Sequence, residues 1–292
     1  MGWFSDNAVT LVNGLATGML LYMMAAGLTL IFGMMDVLNL AHGAFFLFGA
    51  YTAYQIGRNG DNWAIALLAA LGVGALLGAL LSVATRPLRS RGHLDQALLT
   101  FGAAFVLAGL ASLFFGYGYK SVTSPPALDG IVSIGGQGYP VYRLIVIGVG
   151  LLVALVLYLV IERTSIGAVV RAAVADREML SAMGINVDVV MTSVFVVGGA
   201  IASMGGMIGA PILGVNPGLD DQVLLLALVV VTVGGLGSLS GALVGAIVIG
   251  EVQAVGTALF PSAAGLLLFG AMVAILIVRP QGLFGFVRSA RT

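Results

Sequence analysis

Three polar residues interrupt a long apolar stretch near the start of the chain. Asp36, Asn39 and His42 lie between Gly33 and Gly43, with apolar runs on both sides. Lipid offers no hydrogen bonds to backbone N–H and C=O groups, so a broken helix at membrane depth must be buried in protein or face a wet cavity. Membrane transporters place their pathways at such discontinuous helices. The segment is therefore either a turn at the membrane surface or a break inside the protein, and in the second case Asn39, His42 and Gly43 are candidate pathway residues.

A second Asn-centred, Gly-flanked break surrounds Asn216, and a lone acid, Glu251, lies within a later apolar run. Asparagine side chains cap freed backbone groups well, so we expect Asn39 and Asn216 to do so. A charge near mid-bilayer costs about 3 kcal/mol or more, and Glu251 must therefore face protein or water. It is either a pathway residue or a hydrogen-bonded link between helices. Gln96 and Thr100, at the start of another apolar run, are expected to be capping groups at the membrane interface.

The sequence lacks the residue patterns of several kinds of chemistry. It has no cysteine, and its two histidines are too few for a zinc site. No phosphate-binding P-loop motif is present, and Lys120 is the only lysine, so the chain cannot bind ATP in the P-loop manner. Serine-hydrolase and zinc-protease motifs are absent as well. We therefore expect no catalytic residue, no metal and no cofactor in this chain, and the zero net charge argues against nucleic acid as a partner.

The composition is that of an integral membrane protein. The 292 residues are 60% hydrophobic and 8% charged, whereas a soluble domain carries about 25% charged residues. Glycine is frequent, with 43 residues, and recurs at the small-xxx-small spacing that lets membrane helices approach closely. We expect tight helix contacts at four such places: Gly14 and Gly18; Gly74 and Gly78; Gly205 and Gly209; and Gly237, Gly241 and Gly245.

The apolar runs predict an all-α protein with about nine transmembrane helices, within a range of about eight to ten. Two of the runs, 41–57 and 222–236, are short for a full crossing and are expected to be partial helices. The two breaks face opposite sides in this arrangement, which predicts an inverted repeat with halves 8–116 and 143–278 inside one domain, 1–292. The predicted spans are 8–31, 41–57, 63–85, 96–116, 143–161, 189–213, 222–236, 241–260 and 263–278.

Positive residues predict the orientation in the membrane. Nine crossings place nine arginines on one side and three positive residues on the other, and positive residues favour the cytoplasm. The N-terminus is then outside and the C-terminus inside. The outer segment 117–142, rich in turn formers, is either a plain connecting loop or a docking surface for an external partner. The inner group is Arg86, Arg89, Arg91, Arg163, Arg171, Arg177, Arg279, Arg288 and Arg291, and the outer group is Arg58, Lys120 and Arg143.

The inner segment 162–188 differs from the other connections. Alanine and other good helix formers predict a helix over 168–183, and Gly184 is suited to end it. A short amphipathic helix rests either on the membrane surface or in a groove of another protein, and its mixed charges favour the protein partner. We expect apolar anchors inside a polar rim. The anchors are Ala172, Leu180 and Met183, and the rim is Arg171, Asp176, Arg177 and Glu178.

The segment 27–51 closely resembles the branched-chain amino acid ABC permease family, specifically its H-type, LivH-like subunit. The family's Asn-x-Ala-His-Gly motif is matched by Asn39, Ala41, His42 and Gly43. Further segments are similar to the family in the same order along nearly the whole chain. They are 171–184, similar to its ATPase-coupling segment, 234–245, similar to its C-terminal glycine signature, and 279–285, similar to its usual ending.

This resemblance implies the permease subunit of an ATP-binding-cassette importer in the bacterial cell inner membrane. The implied cargo is branched-chain or other hydrophobic amino acids, moving from the periplasm to the cytoplasm. The implied partners are membrane lipid, a second, M-type permease, a periplasmic substrate-binding protein and two cytoplasmic ATPase subunits, which bind the ATP. The resemblance also makes 162–188 the segment that contacts the ATPases.

Other functions stay open on the residues alone. Permeases similar to this family also serve urea, amides and other small solutes. An ion-coupled secondary transporter would use Glu251 or Asp36 to carry its coupling proton, and a third class is a passive channel. Neither a secondary transporter nor a channel needs a docking site for an ATPase, so segment 162–188 discriminates between them and the importer.

Overall fold

Apolar runs of membrane length produce a fold built from α-helices. Eleven α-helices lie in the part of the chain that the computed structural model describes. The described residues are 2–35, 38–57, 62–89 and 91–285. In chain order the helices are α1 (Gly2–Met35), α2 (His42–Ile56), α3 (Trp63–Thr85), α4 (His93–Phe115), α5 (Val141–Arg163), α6 (Ser165–Ala175), α7 (Arg177–Ala182), α8 (Val187–Leu213), α9 (Leu219–Gly234), α10 (Leu239–Leu259) and α11 (Ala264–Val278).

Each of the nine predicted spans coincides with one helix, and α6 and α7 occupy the predicted inner segment. Seven helical stretches among the described residues are long and apolar enough to cross a membrane, the last being α11 together with the short 3-10 turn Pro261–Ala263 before it. The remaining two spans, α2 and α9, have 15 and 16 residues and fall short of the roughly 20 that a full crossing needs. The all-α membrane fold is therefore confirmed, whereas the count of nine crossings and the inverted repeat stay predictions. Asp36, Arg58, Arg288 and Arg291 lie outside the described residues.

Glycines hold the central helices close together, as the small-xxx-small spacing predicts. A β-carbon added at Gly18 of α1 would lie 2.6 Å from the carbonyl oxygen of Ala246 in α10. One added at Gly199 of α8 would overlap the backbone carbonyl of Gly74 in α3. Any side chain at these positions would push two helix backbones apart. Helix α8 packs against α1, α2 and α3 at once and lies at the centre of the fold.

The outer helices expose apolar surface instead. Helix α1 is mostly buried, whereas α4 and α11 bury only a small share of their length. Large side chains such as Phe105 and Phe114 of α4, and Leu266 and Ile277 of α11, are exposed. Contiguous apolar surface of this extent marks contact with lipid or with another protein. This distribution fits a bundle whose polar breaks are inside and whose rim is apolar.

The segment between α4 and α5 forms a short antiparallel hairpin of β1 (Ile131–Ile134) and β2 (Gln137–Pro140). The two residues of its turn, Gly135 and Gly136, both have positive φ, as a tight hairpin turn requires. Earlier in the same segment, Lys120 exchanges backbone hydrogen bonds of 2.7 and 2.9 Å with Val215, in the connection between α8 and α9. The outer segment is therefore more ordered than a plain loop, and it supports the second break.

The close contact of α3 with α8 yields a stability prediction. The Gly199→Val substitution should lower the free energy of unfolding by about 1–3 kcal/mol, because the added methyl groups overpack a backbone contact. The control is Gly102→Val in α4, where a β-carbon meets nothing within 4 Å. Thermal unfolding of the two variants in detergent measures the difference. Equal unfolding temperatures for Gly199→Val and the wild type would contradict the contact.

Candidate functional site

The first break lies inside the protein. Asn39 and His42 are 1% and 0% exposed, so the connection from α1 to α2 is not a turn on the surface. The side-chain Oδ1 of Asn39 accepts a hydrogen bond from the backbone N–H of Ala41 at 3.1 Å. It thereby satisfies one of the donors that are freed where α2 begins. Of the two interpretations that the sequence left open, this burial supports a break inside the protein.

Helix α2 begins beside the last third of α1 rather than at its end. A β-carbon added at Gly27 of α1 would lie 2.7 Å from Nε2 of His42. Gly27 precedes the end of α1 by eight residues, or about 12 Å along the helix axis. The His42 ring meets Phe45 edge to face at 5.4 Å between centroids. It also interacts with the Met24 backbone, but neither ring nitrogen makes a hydrogen bond of ordinary geometry to the described residues.

Thr100 of α4 supports the broken backbone from the other side. Its hydroxyl oxygen accepts from the N–H of Leu40 at 3.3 Å and lies 3.4 Å from the carbonyl of Leu38. Thr100 therefore does not cap its own helix as expected but binds the backbone of the break, and Gln96, one turn earlier on α4, is also buried. Two polar residues four apart on an otherwise apolar helix were the sequence signal for this role.

The two short helices start against each other. A β-carbon added at Gly43, near the start of α2, would overlap the backbone carbonyl of Asp220 and lie 3.1 Å from Cβ of Leu224 in α9. The glycine of the Asn-x-Ala-His-Gly motif thus lets α2 and α9 meet. The two breaks, which are far apart in sequence, converge at this point, and we call the residues around it, 39–43 and 218–221, the break junction.

The second break is closed by backbone rather than by its asparagine. Gly214 and Gly218 have φ of 71° and 95°, a conformation that favours glycine. The carbonyl of Asn216 accepts from the N–H of Leu219 at 3.2 Å. Its partly buried side chain makes no hydrogen bond to any residue that the structure describes, so the expected side-chain cap is not formed. The turn is stabilised instead by the left-handed conformation of Gly218 and by the backbone pairing of Val215 with Lys120.

Asp220 is a polar residue of the break junction that the sequence analysis did not single out. It lies in the first turn of α9 and is buried, whereas the neighbouring Asp221 is exposed. Backbone N–H groups of Gly218, Asp220 and Asp221 interact with its carboxylate, an arrangement that the N-terminal end of a helix favours. Its Oδ1 is buried without a hydrogen-bond partner among the described residues. The sequence feature that could have identified Asp220 is the pair of acidic residues directly after a glycine-flanked break.

Glu251 does not join the break junction. Its carboxyl packs against α1, where a β-carbon added at Gly14 would lie 2.5 Å from Oε2. Gly14 and Gly27 are thirteen residues apart, so Glu251 stands about 20 Å along α1 from His42. It faces protein, as its charge requires, but its buried Oε2 has no hydrogen-bond partner among the described residues.

The predicted inner helix is two helices. A single helix over 168–183 is wrong, because Asp176 adopts an extended conformation between α6 and α7 and caps α7. Its Oδ1 accepts from the N–H of Met179 at 2.9 Å. Thr164 caps α6 in the same way through the N–H of Gly167 at 3.2 Å. The end at Gly184 is as predicted, since its φ of 81° closes the last turn of α7.

The exposed face of α6 and α7 differs from the predicted anchor set. Leu180 is 3% exposed and packs into its own chain, so it cannot anchor a partner. Ala172 and Met183 are exposed, and Met179 takes the place predicted for Leu180. Three of the predicted rim residues are exposed, namely Arg171, Asp176 and Glu178, whereas Arg177 is partly buried. Arg171 also forms an ion pair of 3.6 Å with Glu162. Exposed apolar side chains on α6 and α7 therefore lie in the same part of the chain as exposed charged ones.

Known proteins are similar to this chain over nearly its full length. The family model described as branched-chain amino acid transport system / permease component matches residues 10–277. The high-affinity branched-chain amino acid transport system permease protein BraD of Pseudomonas aeruginosa is 28% identical over 292 residues, 94% of each chain. LivH of Escherichia coli, with the same description, is 28% identical over 290 residues, again 94% of each chain.

Two more distant similarities extend this set. A probable branched-chain amino acid transport permease protein LivH of Methanocaldococcus jannaschii is 26% identical over 279 residues, 91% of this chain and 89% of that one. The solved structure of PsaBC from Streptococcus pneumoniae in complex with Fab matches with a TM-score of 0.48 and 14% identity, over 91% of this chain and 89% of that chain. Since the family model covers most of the 292 residues, the chain belongs to the family of branched-chain amino acid transport system permease components.

Proposed function

We propose that this chain is the permease subunit of an ATP-binding-cassette importer that moves branched-chain or other hydrophobic amino acids from the periplasm to the cytoplasm. The observation that carries the proposal is the family match across residues 10–277. The names of BraD and LivH describe permeases of high-affinity branched-chain amino acid transport systems, and both relatives are covered over 94% of their length. The chain is a transport component and not an enzyme.

The partners follow from what this chain does not supply. It has no P-loop motif, so ATP hydrolysis belongs to two separate cytoplasmic ATPase subunits. The exposed apolar patch of Ala172, Met179 and Met183 is the surface proposed to contact them. A second, M-type permease completes the pathway, and a periplasmic substrate-binding protein delivers the amino acid. The apolar surfaces of α4 and α11 suit lipid or the second permease.

The break junction is the proposed segment of the pathway within this subunit. Its Asn39, His42 and Asp220 place polar groups inside an otherwise apolar bundle, and buried polar atoms without partners are rare unless they serve a function or hold water. Gly43 allows the two short helices to meet there. Asn216 lies at the edge of the junction, and Glu251 is remote from it. We assign Glu251 to the contact between α1 and α10.

The proposed setting is the bacterial inner membrane, crossed several times, with the N-terminus in the periplasm and the C-terminus in the cytoplasm. The excess of arginine on the side of α6 and α7 supports this orientation. Ion coupling through Glu251 and the break junction gains no support, because Glu251 lies about 20 Å from His42 along α1. Urea and amides, which similar permeases carry, are alternative cargoes.

Transport by the complete importer tests the proposal. The chain is purified with its M-type permease and ATPase subunits, placed in lipid vesicles and supplied with the binding protein and ATP. We expect uptake of leucine, isoleucine or valine that depends on both ATP and the binding protein. Uptake of urea in place of leucine would contradict the proposed amino acid cargo but would still support an ATP-driven importer. Uptake driven by an ion gradient without ATP would overturn the proposal.

The first prediction about this function concerns the buried break. Asn39→Leu should reduce transport about tenfold while changing the amount of protein in the membrane less, because it removes a buried hydrogen-bond acceptor worth about 1–3 kcal/mol. The matched control is Asn216→Leu, whose side chain caps nothing in the described structure. Uptake rates normalised to membrane level measure the effect. A fall in membrane level equal to the fall in uptake would make Asn39 a purely structural residue.

The second prediction concerns the exposed patch on α6 and α7. Met183→Asp should weaken ATPase association about tenfold, because a carboxylate in an apolar contact must be desolvated. Met183→Leu keeps the apolar contact and serves as the control. Leu180→Asp should instead lower the amount of folded permease, since Leu180 is buried in its own chain. Co-purification of the ATPase subunits, compared with membrane level, separates the two effects. Normal association of the Met183→Asp variant would contradict this surface.

A further inference from the structure

A cluster of polar side chains joins the end of α3 to the start of α8. It lies at the end of the molecule that carries α6 and α7, which we call the coupling end. Nη1 of Arg89, just after α3, forms an ion pair with Oδ1 of Asp188. Nη2 of the same guanidinium donates to the hydroxyl of Ser82 at 3.3 Å and to its carbonyl at 3.4 Å. One arginine therefore bridges two helices.

A second link runs parallel to this ion pair. The hydroxyls of Ser82 and Thr192 are 2.9 Å apart, and Ser82 is fully buried between α3 and α8. Arg86 donates to the Thr192 hydroxyl at 3.2 Å. The sequence analysis used Arg86 and Arg89 only as markers of orientation. The structure gives both of them specific partners on α8.

Arg89 is held more tightly than a surface arginine. Its side chain is 12% exposed, whereas that of Asp188 is 57% exposed. Burial lowers the pKa of the Arg89 guanidinium, and the nearby Asp188 carboxylate acts in the opposite direction. Asp188 supplies the counterion of this mostly buried guanidinium. The pair thus fixes the position of Asp188 relative to α3.

Asp188 follows the coupling helices directly. Only 183–186 separates α7 from α8, and Asp188 is the second residue of α8. The side chain of Asn186 caps α8 through the N–H groups of Asp188 and Val189 at 3.0 and 3.3 Å. Further along α8, Gly198 packs against Gly27 of α1, the residue that also contacts His42. These contacts form a continuous path from α7 to the break junction through the first turns of α8.

We propose that Arg89 and Asp188 are positioning residues that clamp α3 to α8, so that the two helices move as one body with α6 and α7. This inference rests on the proposed function. The pair is not needed to assemble the helices, because the glycine contact of Gly74 with Gly199 already joins them deeper in the bundle. An ion pair with one exposed partner contributes little to stability. Its loss should therefore affect coupling more than folding.

The first test measures amino acids transported per ATP hydrolysed by the complete importer in vesicles. Asp188→Asn and Arg89→Gln should keep the membrane level and the ATP hydrolysis but lower this ratio about fivefold or more. Arg89→Lys keeps the positive charge, so its ratio of amino acids transported to ATP hydrolysed should stay close to that of the wild type. Asp95→Asn, an exposed acid in the first turn of α4, is the control and should match the wild type.

A cross-link tests the same clamp without removing a charge. The chain has no cysteine, so Ser82→Cys with Thr192→Cys introduces the only possible disulfide. If α3 and α8 move together, oxidation should leave transport intact and restore the ratio in the Asp188→Asn background. Transport blocked by the cross-link, or a wild-type ratio in uncross-linked Asp188→Asn, would overturn the clamp. Failure of the wild-type importer to move amino acids would instead overturn the proposed function.

Discussion

A broken helix inside a membrane must find hydrogen-bond partners in protein, because lipid supplies none. The connection between α1 and α2 is a break buried in the protein, and neighbouring side chains hydrogen-bond its backbone. Asn39 accepts from the backbone of its own turn, and Thr100 reaches from α4 to the backbone on either side. Among the buried polar atoms that lack a hydrogen-bond partner in the described residues, Nδ2 of Asn39, both ring nitrogens of His42 and Oδ1 of Asp220 lie at the break junction.

Close packing of glycines makes this arrangement sterically feasible. Gly27 leaves room for the His42 ring, and Gly43 leaves room for the start of α9. Helix α8 links these contacts to the coupling end, since it packs against α1, α2 and α3 along its length. Helix α8 thus contacts both the start of the chain segment after α7 and the helices that form the break. The exposed apolar faces of α4 and α11 lie outside these contacts, whereas the buried Thr100 of α4 hydrogen-bonds the break.

Hydrophobic length was sufficient to predict a helix at each of the nine spans, the two short ones among them, and glycine spacing predicted close contacts such as those of Gly18 and Gly74, but not those of Gly27, Gly43 and Gly199. Whether the first break was buried could not be predicted, because the depth of a turn depends on how α2 folds back along α1. The residues that contact the break could not be predicted from the sequence either. Thr100 follows Asn39 by 61 residues, and Asp220 becomes buried only because α9 starts against Gly43.

Local competition explains the remaining differences. Asp176 is a better N-cap than a helix interior residue, so it divides the predicted helix into α6 and α7. That division turns Leu180 inward and Met179 outward. At the second break the left-handed Gly218 and the outer segment close the turn, which leaves the Asn216 side chain unused. The hydrophobic periodicity of the sequence could not predict these features, because each of them depends on residues whose backbone is not helical.

The central claim is that the buried break junction faces the transport pathway, and thiol labelling tests it most directly because the chain has no cysteine. In the complete importer, Asn39→Cys should react with a small water-soluble thiol reagent during ATP turnover, and bound amino acid should slow the reaction. Leu266→Cys, on the exposed apolar face of α11, should stay unlabelled. An Asn39→Cys variant that transports amino acids yet is never labelled would contradict the claim.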